Sequence, residues 1–244
     1  MKNFFKRLCI KTAFSATAVL LLGSHISGCS NSSSSPPAPD TGDDPISYEV
    51  SVINATNNQP ISPVAVITHN AGYSLWSIGS AASTELEYIA EGGSNSQLMD
   101  SLDSEDATAV SGKGAIGPGG SETISITAGA SEQTRITVLG MLVNTNDAFS
   151  GIRSVDVSAL ASGESISLNA SVYDAGTEIN SESSGTMPGP ADGGEGFNAA
   201  RSDTSNIVRY HGGVVSADDG LSASVLDQSH RFDNPALVIT ITRI

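Results

Sequence analysis

The chain has 244 residues and a formal net charge of −15, with 26 acidic residues against 11 basic ones. This length suffices for one sizeable hydrophobic core or two small ones. An acidic surface of this kind repels the phosphates of nucleic acids and of anionic lipid head groups, so the composition argues against both as partners and favours cations and cationic ligands.

The N-terminus has the pattern of a secretory signal peptide. Four basic residues lie among the first eleven positions, and an apolar run follows from about residue 13 to residue 22. That run is too short for an ordinary membrane-spanning helix. The chain then reads ISGC up to Cys29, which resembles the lipobox of bacterial lipoproteins. We therefore predict a signal peptide over residues 1–28, with an unprocessed N-terminal helix as the alternative.

The lipobox resemblance implies that Cys29 carries lipid and anchors the protein to a membrane. Ser30 rather than an aspartate follows this cysteine, which by resemblance to diderm lipoproteins favours the outer membrane of a bacterial cell envelope; a secreted or periplasmic protein is the alternative. Residues 29–45 are rich in serine, proline and aspartate, a composition typical of a disordered tether. Cleavage would leave seven basic and 26 acidic residues, a net charge of −19.

The cysteine count excludes several kinds of site. Cys9 lies in the predicted signal peptide and Cys29 is the predicted lipid site, so no cysteine remains among the 244 residues for a disulfide, a zinc site or a thiol nucleophile. The folded domain must therefore be held together by packing, or by packing and a metal ion.

Residues 46–244 contain many short segments in which apolar and polar residues alternate, the pattern of strands with one buried face. Helical periodicity is scarce: Ser83 is a candidate N-cap for a short helix ending at Gly92 and Gly93, and a second short helix is predicted near residues 96–102. We predict a single all-β sandwich domain. The predicted strands cover residues 47–54, 64–68, 121–127, 134–143, 165–173, 207–210, 212–220 and 236–243, while residues 103–120 and 180–201 are predicted loops.

Two acidic segments follow predicted strands, NTNDAFSG with Asp147 and VYDAGTE with Asp174 and Glu178. Asp174 and Glu178 can face one ion only if the turn at Gly176 is compact. Carboxylate and carbonyl oxygens from such loops are the ligands that calcium prefers, and magnesium would demand a stricter octahedron. Asp147, Asp174 and Glu178 are therefore candidate calcium ligands, with ordinary turn chemistry as the alternative.

Several of these segments together resemble the spondin domain, the N-terminal module of F-spondin and mindin. They are VITHNAGYSLWSIGSAAS, AEGG, VLGMLVNTNDAFSGI and above all VYDAGTEINSE, while RYHGGV and LDQSHRFDNP are similar to bacterial members. The resemblance covers about residues 47–244. It implies a C2-like antiparallel β-sandwich that binds calcium at one end through Asp147, Asp174 and Glu178. Animal spondins have aspartate where this chain has Glu178. The thrombospondin repeats of the animal proteins are absent from this sequence.

Other candidate residues carry weaker signals. Tyr73 and Trp76 form an aromatic pair near a predicted loop, either a ligand platform or part of the core. His69, His211 and His230 lack the spacing of a zinc motif; His211 and His230 could meet near Asp233, but structural hydrogen bonding in turns is the favoured interpretation. No G-x-S-x-G motif marks a nucleophile, and we predict no catalytic residues.

The expected function is a non-enzymatic, surface-tethered, calcium-binding module for adhesion or for binding an unidentified protein or glycan at the bacterial envelope. Two other functions stay open. A hydrolase of envelope polymer or glycan would need two opposed carboxylates, or a base and a nucleophile, in a cleft. A passive acidic component of the envelope or of a biofilm would bind cations only loosely.

Overall fold

Nine strands and two short helices form the described part of the chain. The computed structural model describes residues 45–102, 107–128, 134–201 and 205–244. The predicted signal peptide, Cys29 and nearly all of the predicted tether lie outside these ranges. The strands are β1 (Ile46–Asn54), β2 (Ala65–His69), β3 (Ala107–Ser111), β4 (Ser121–Ala128), β5 (Arg135–Met141), β6 (Ala148–Asp156), β7 (Ser165–Asp174), β8 (Arg209–Tyr210) and β9 (Leu237–Arg243), and the helices are α1 (Thr84–Gly92) and α2 (Ser96–Ser101).

The strands form a nearly closed antiparallel sandwich, as the sequence predicts. Their order is β3-β2-β5-β6-β7-β9-β1-β4, and the short strand β8 pairs with the end of β7. Strand β7 connects the two halves, because residues 165–170 pair with β9 whereas residues 171–174 pair with β6. The end of β7 is thus held between β6 and β8.

Strand β2 is buried on both faces, which explains its continuous apolar run. Val66 faces the main core, which also contains Tyr48 and Val50 of β1 and residues of five other strands. Ala65 and Ile67 face a second core beneath α1. The sandwich therefore has a filled interior and a helix packed on one outer face.

Helix α1 has capping residues at both ends and apolar residues along one face. The Ser83 side chain caps it by accepting a hydrogen bond from the Leu86 amide, and Gly93 ends it with a left-handed backbone, φ 65°. Leu86 and Ile89 point into the second core against the sheet. Among the described residues, no helix combines the length and the apolar character needed to cross a membrane.

Strand β6 was not among the predicted strands, and two further sequence-based assignments were wrong. Residues 107–111 form strand β3 at the sheet edge, paired with β2, although they lie in a segment predicted to be a loop; their small side chains give a weak apolar pattern. Residues 212–220 contain no strand. The segment Ala217–Asp219 is a 3-10 helix, because the Ser216 and Asp219 side chains satisfy each other's backbone N–H groups in a capping box.

Gly151 marks the closest contact between β5 and β6. A Cβ at this position would lie 2.3 Å from the Val138 carbonyl oxygen and 2.9 Å from the Leu139 Cβ. We therefore expect Gly151→Ala to destabilise the domain by about 1–3 kcal/mol through overpacking, measured by urea denaturation of residues 46–244. Gly114→Ala is the control, since its Cβ would meet nothing within 4 Å. Equal urea midpoints for the two variants would contradict this account of the β5–β6 contact.

Candidate functional site

Strand pairing brings the first two predicted ligands together. Asp147 immediately precedes β6 and Asp174 is the last residue of β7, and in the antiparallel register Ala148 lies opposite Asp174. The chain then turns at Gly176, which has a φ of 73°; a Cβ there would lie 2.5 Å from the backbone of Ile207. This compact turn returns Glu178 toward Asp147, so all three predicted residues lie at one end of the sandwich.

Asp147 organises the turn that follows β7. It is fully buried, and its Oδ2 atom accepts hydrogen bonds from the Thr177 amide at 2.8 Å and the Glu178 amide at 3.1 Å. Its Oδ1 atom is buried without a hydrogen-bond donor among the described residues. Burial and the Asp174 charge raise the pKa of Asp147 to about 7.

Asp174 is almost fully buried but its two oxygens have partners. Oδ1 accepts a hydrogen bond from the Gly176 amide at 2.8 Å. Oδ2 accepts from Asn180 Nδ2 at 2.7 Å and lies 3.0 Å from Arg209 Nη2. Arg209 comes from β8, so the β7–β8 pairing supplies a cation to this carboxylate.

Glu178 is 1 % exposed and also faces an arginine. Its Oε2 atom accepts a hydrogen bond from Asn146 Nδ2 at 3.2 Å. Its Oε1 atom lies 2.7 Å from Arg201 Nη2, an ion pair whose angles are not those of a hydrogen bond. Burial and the Glu91 charge nevertheless raise the pKa of Glu178 to about 8, because together they outweigh the effect of Arg201.

Sequence reasoning missed four members of this cluster: Glu91, Asn146, Arg201 and Arg209. Glu91 lies in the last turn of α1 and is fully buried, with its Oε1 atom unpartnered among the described residues. Burial raises its pKa. An acidic residue at a helix C-terminus is unfavourable for the helix dipole, and this local anomaly is the signal that could have identified Glu91.

A fifth buried carboxylate, that of Glu182, connects the surrounding loops through hydrogen bonds. Glu182, 4 % exposed, accepts hydrogen bonds from the Val215 amide and the Ser224 hydroxyl, both at 2.9 Å. Its own amide donates to Asn146 Oδ1 at 3.0 Å. The predicted loop 180–201 is thereby tied both to the segment around 215–224 and to the residue that holds Glu178.

The aromatic pair is not a surface platform. Trp76 is 3 % exposed and packs edge-on against Phe149, with ring centroids 5.2 Å apart, so the alternative of a core residue is correct for it. Tyr73 is half-buried and lies against the His69 ring. The exposed aromatic residue near the site is Tyr210, which stacks on Tyr173.

The three histidines have structural partners. His69 lies 2.8 Å from the Thr137 hydroxyl through Nε2. His211 accepts a hydrogen bond from the Gly213 amide and packs on Phe232. His230 Nδ1 lies 3.0 Å from Asp227 Oδ1, a contact within one turn of the kind that the favoured structural interpretation expects.

The acidic cluster has the donor chemistry of a hard-cation site. Among the described residues, no three His, Cys, Asp or Glu side chains are arranged in a way that could hold a metal ion. Arg201 and Arg209 supply the positive charge instead. Asp147 Oδ1 and Glu178 Oε1 are nevertheless buried and accept no hydrogen bond among the described residues, so a cation could bind them. The residues therefore fit such an ion if Arg201 and Arg209 move away from their carboxylates. Beside them a cavity of about 340 Å³ is bordered by Glu178, Ile179 and Arg201.

The metal-free protein is expected to lose stability as the pH rises. Asp147 and Glu178 have ordinary pKa values of 3.8 and 4.5 but about 7 and 8 in the fold. Between these limits the folded chain binds more protons than the unfolded chain, so its free energy of unfolding falls with rising pH. Burial lowers the pKa of His69 and His211 below their ordinary value of 6.5, which acts in the opposite direction at lower pH. In EDTA the Tm should therefore decrease from pH 7 to pH 8.5.

Two variants test whether Asp147 causes this decrease of Tm with pH. Asp147→Asn should weaken it, because an amide does not ionise, and Asp218→Asn, at an exposed position, should leave it unchanged. A Tm that is flat or rises between pH 7 and pH 8.5 in EDTA would be inconsistent with carboxyls whose pKa is raised.

One comparison with known proteins supports the resemblance noted in the sequence. A comparison with curated protein sequences finds no match. The family model of the spondin N-terminal domain (Spondin_N) matches residues 55–190. This range is more than half of the chain and includes Asp147, Asp174 and Glu178, whereas Arg201 and Arg209 lie beyond it. The chain therefore belongs to the spondin N-terminal domain family.

Proposed function

We propose that this protein is a non-enzymatic, calcium-binding module tethered to the bacterial cell envelope, where it binds a protein or glycan partner in adhesion. The observation that carries the calcium proposal is the buried Oδ1 atom of Asp147, which has no donor in a cluster that already contains several carboxylates. An oxygen in that position is costly unless a proton or a cation satisfies it.

Asp147, Asp174 and Glu178 would hold the ion. A bound calcium ion would supply positive charge that relieves the repulsion among these carboxylates. The chain's own contribution is order: Asp147 fixes the 174–178 turn through two backbone amides, and Asn146 fixes Glu178. Arg201 and Arg209 would release their carboxylates, in whole or in part, when the ion binds.

The loops of the site also carry exposed apolar residues suited to meeting a partner. Ile179 follows Glu178 and is 59 % exposed, and Tyr210 follows Arg209 and is 60 % exposed. The Ile207 backbone lies against Gly176 and its side chain is exposed. An ion that orders these loops would therefore order the same surface that a protein or glycan would contact.

The hydrolase alternative has one observation in its favour, the raised pKa values of Asp147 and Glu178, since a general acid needs such a value. Two observations weigh against it. Asp147 is fully buried, and Glu178, which borders the 340 Å³ cavity, is paired with Arg201. A passive acidic component would bind calcium weakly and without saturation, which the first experiment below distinguishes.

Calcium should stabilise the domain in a saturable manner. For residues 46–244 in excess EDTA and then in a calcium titration, we expect about 2.7 kcal/mol of stabilisation at a hundredfold excess over Kd. This corresponds to a Tm increase of about 5–10 °C, and magnesium should produce a smaller one. Thermal unfolding followed by circular dichroism measures both.

Asp147→Asn tests the site, because the amide keeps an oxygen for the Thr177 and Glu178 amides but removes the charge. It should abolish the calcium-dependent increase in Tm, and Asp218→Asn, at an exposed turn, should retain it. A full calcium response in Asp147→Asn would show that the ion binds elsewhere, and no response in the wild type would refute the calcium proposal.

The proposed anchor depends on Cys29 alone. In a Gram-negative host, palmitate label should enter the wild-type protein, and Cys29→Ser should abolish labelling and partition into the detergent phase of Triton X-114. Cys9→Ser is the matched control, since Cys9 lies within the predicted signal peptide, and it should be labelled normally. Labelled Cys29→Ser protein would contradict lipidation at this residue.

A further inference from the structure

We infer that Glu91, at the C-terminal end of α1, is the fourth carboxylate of the divalent-cation site and acts as a positioning and charge-setting residue there. The inference rests on the proposed function and deepens it, because it adds a residue from a different part of the chain. It assigns helix α1, which neither the two acidic segments nor their turns involve, a role in holding the ion.

Contacts place the Glu91 carboxylate beside those of Asp147 and Glu178. The Thr177 side chain interacts with Glu91 and lies 3.4 Å from Asp147 Oδ2 through its hydroxyl. The Asn198 amide donates to Glu91 Oε2 at 3.2 Å, and Arg201, the partner of Glu178, follows three residues later. The Glu91 charge also raises the pKa of both Asp147 and Glu178.

The metal-free structure compensates the buried Glu91 carboxylate only in part, through the Asn198 amide, the Thr177 side chain and the Arg201 charge. The residue is fully buried, and its Oε1 atom lacks a hydrogen-bond partner among the described residues. Helix α1 has no basic residue in its last turn, so the negative end of the helix dipole meets a negative side chain. A buried carboxylate in this position is unfavourable unless a cation compensates it.

The charges of the cluster point to a divalent ion. The four carboxylates of Glu91, Asp147, Asp174 and Glu178 face two guanidinium groups, those of Arg201 and Arg209. When all four carboxylates are ionised, as in a cation-bound site, these six groups carry a net charge of −2, which one divalent cation neutralises. Glu195 also approaches Arg201, at 4.0 Å, but it is 63 % exposed and therefore screened by water.

Because Glu91 reaches Asp147 through the Thr177 side chain, it is assigned a position behind the ion rather than a direct bond to it. Groups of this kind orient the ligands and set the local charge, and their loss typically lowers metal affinity 10- to 100-fold. A carboxylate with a merely structural role would instead stabilise the metal-free fold.

The test compares Glu91→Gln with Glu85→Gln, which removes the same charge from the same helix near its N-terminus. Calcium affinity is measured by calorimetry on residues 46–244, and the Tm is measured in EDTA. Glu91→Gln should bind calcium about 10- to 100-fold more weakly and have a higher Tm in EDTA than the wild type. Glu85→Gln should match the wild-type affinity.

The outcomes separate this inference from the proposed function. If the wild type and Glu91→Gln bind calcium equally, the inference fails and the calcium site stands. If Glu91→Gln binds weakly but its Tm in EDTA falls, Glu91 is a structural residue and the inference also fails. If the wild type itself does not bind calcium, both proposals fail together.

Discussion

The burial of several like charges at one end of the sandwich is the constraint on which the rest of the structure depends. The pairing of β6 with β7 places Asp147 and Asp174 side by side, and helix α1 adds Glu91, which interacts with the Thr177 side chain. Carboxylates this close cannot all be ionised without compensation. The surrounding loops are organised to provide it, through backbone amides, through Asn146 and through two arginines.

The two arginines give the site a second way to reach neutrality. Arg201 and Arg209 lie in a segment that the spondin family model does not match, whereas Asp147, Asp174 and Glu178 lie within the matched range. Protons, guanidinium groups and a divalent cation would all relieve the same repulsion, so they would compete for the same carboxylates. This competition connects the pH dependence of the metal-free fold with the proposed affinity for calcium.

Local signals predicted much of the fold. Alternating residues identified β1, β4, β5, β7 and β9, and Ser83 with Gly93 correctly bounded α1. They failed where the pattern was weak or misleading: β3 consists of small residues at a sheet edge, and residues 212–220 look alternating but are held by the Ser216 and Asp219 capping box. Trp76 could have been core or surface from its sequence context, and only packing against Phe149 decides that it is core.

The fold class, the family and the three acidic positions Asp147, Asp174 and Glu178 were all predictable from the amino-acid sequence alone. These features depend on patterns that span a few residues, or on motifs such as VYDAGTE. Only the tertiary structure decided that Glu91, Arg201 and Arg209 join them, because these residues come from a helix and from a late loop whose approach depends on how distant strands pair. The spacing of these residues in the sequence does not predict that they meet, whereas their burial and charge interactions in the folded protein show it.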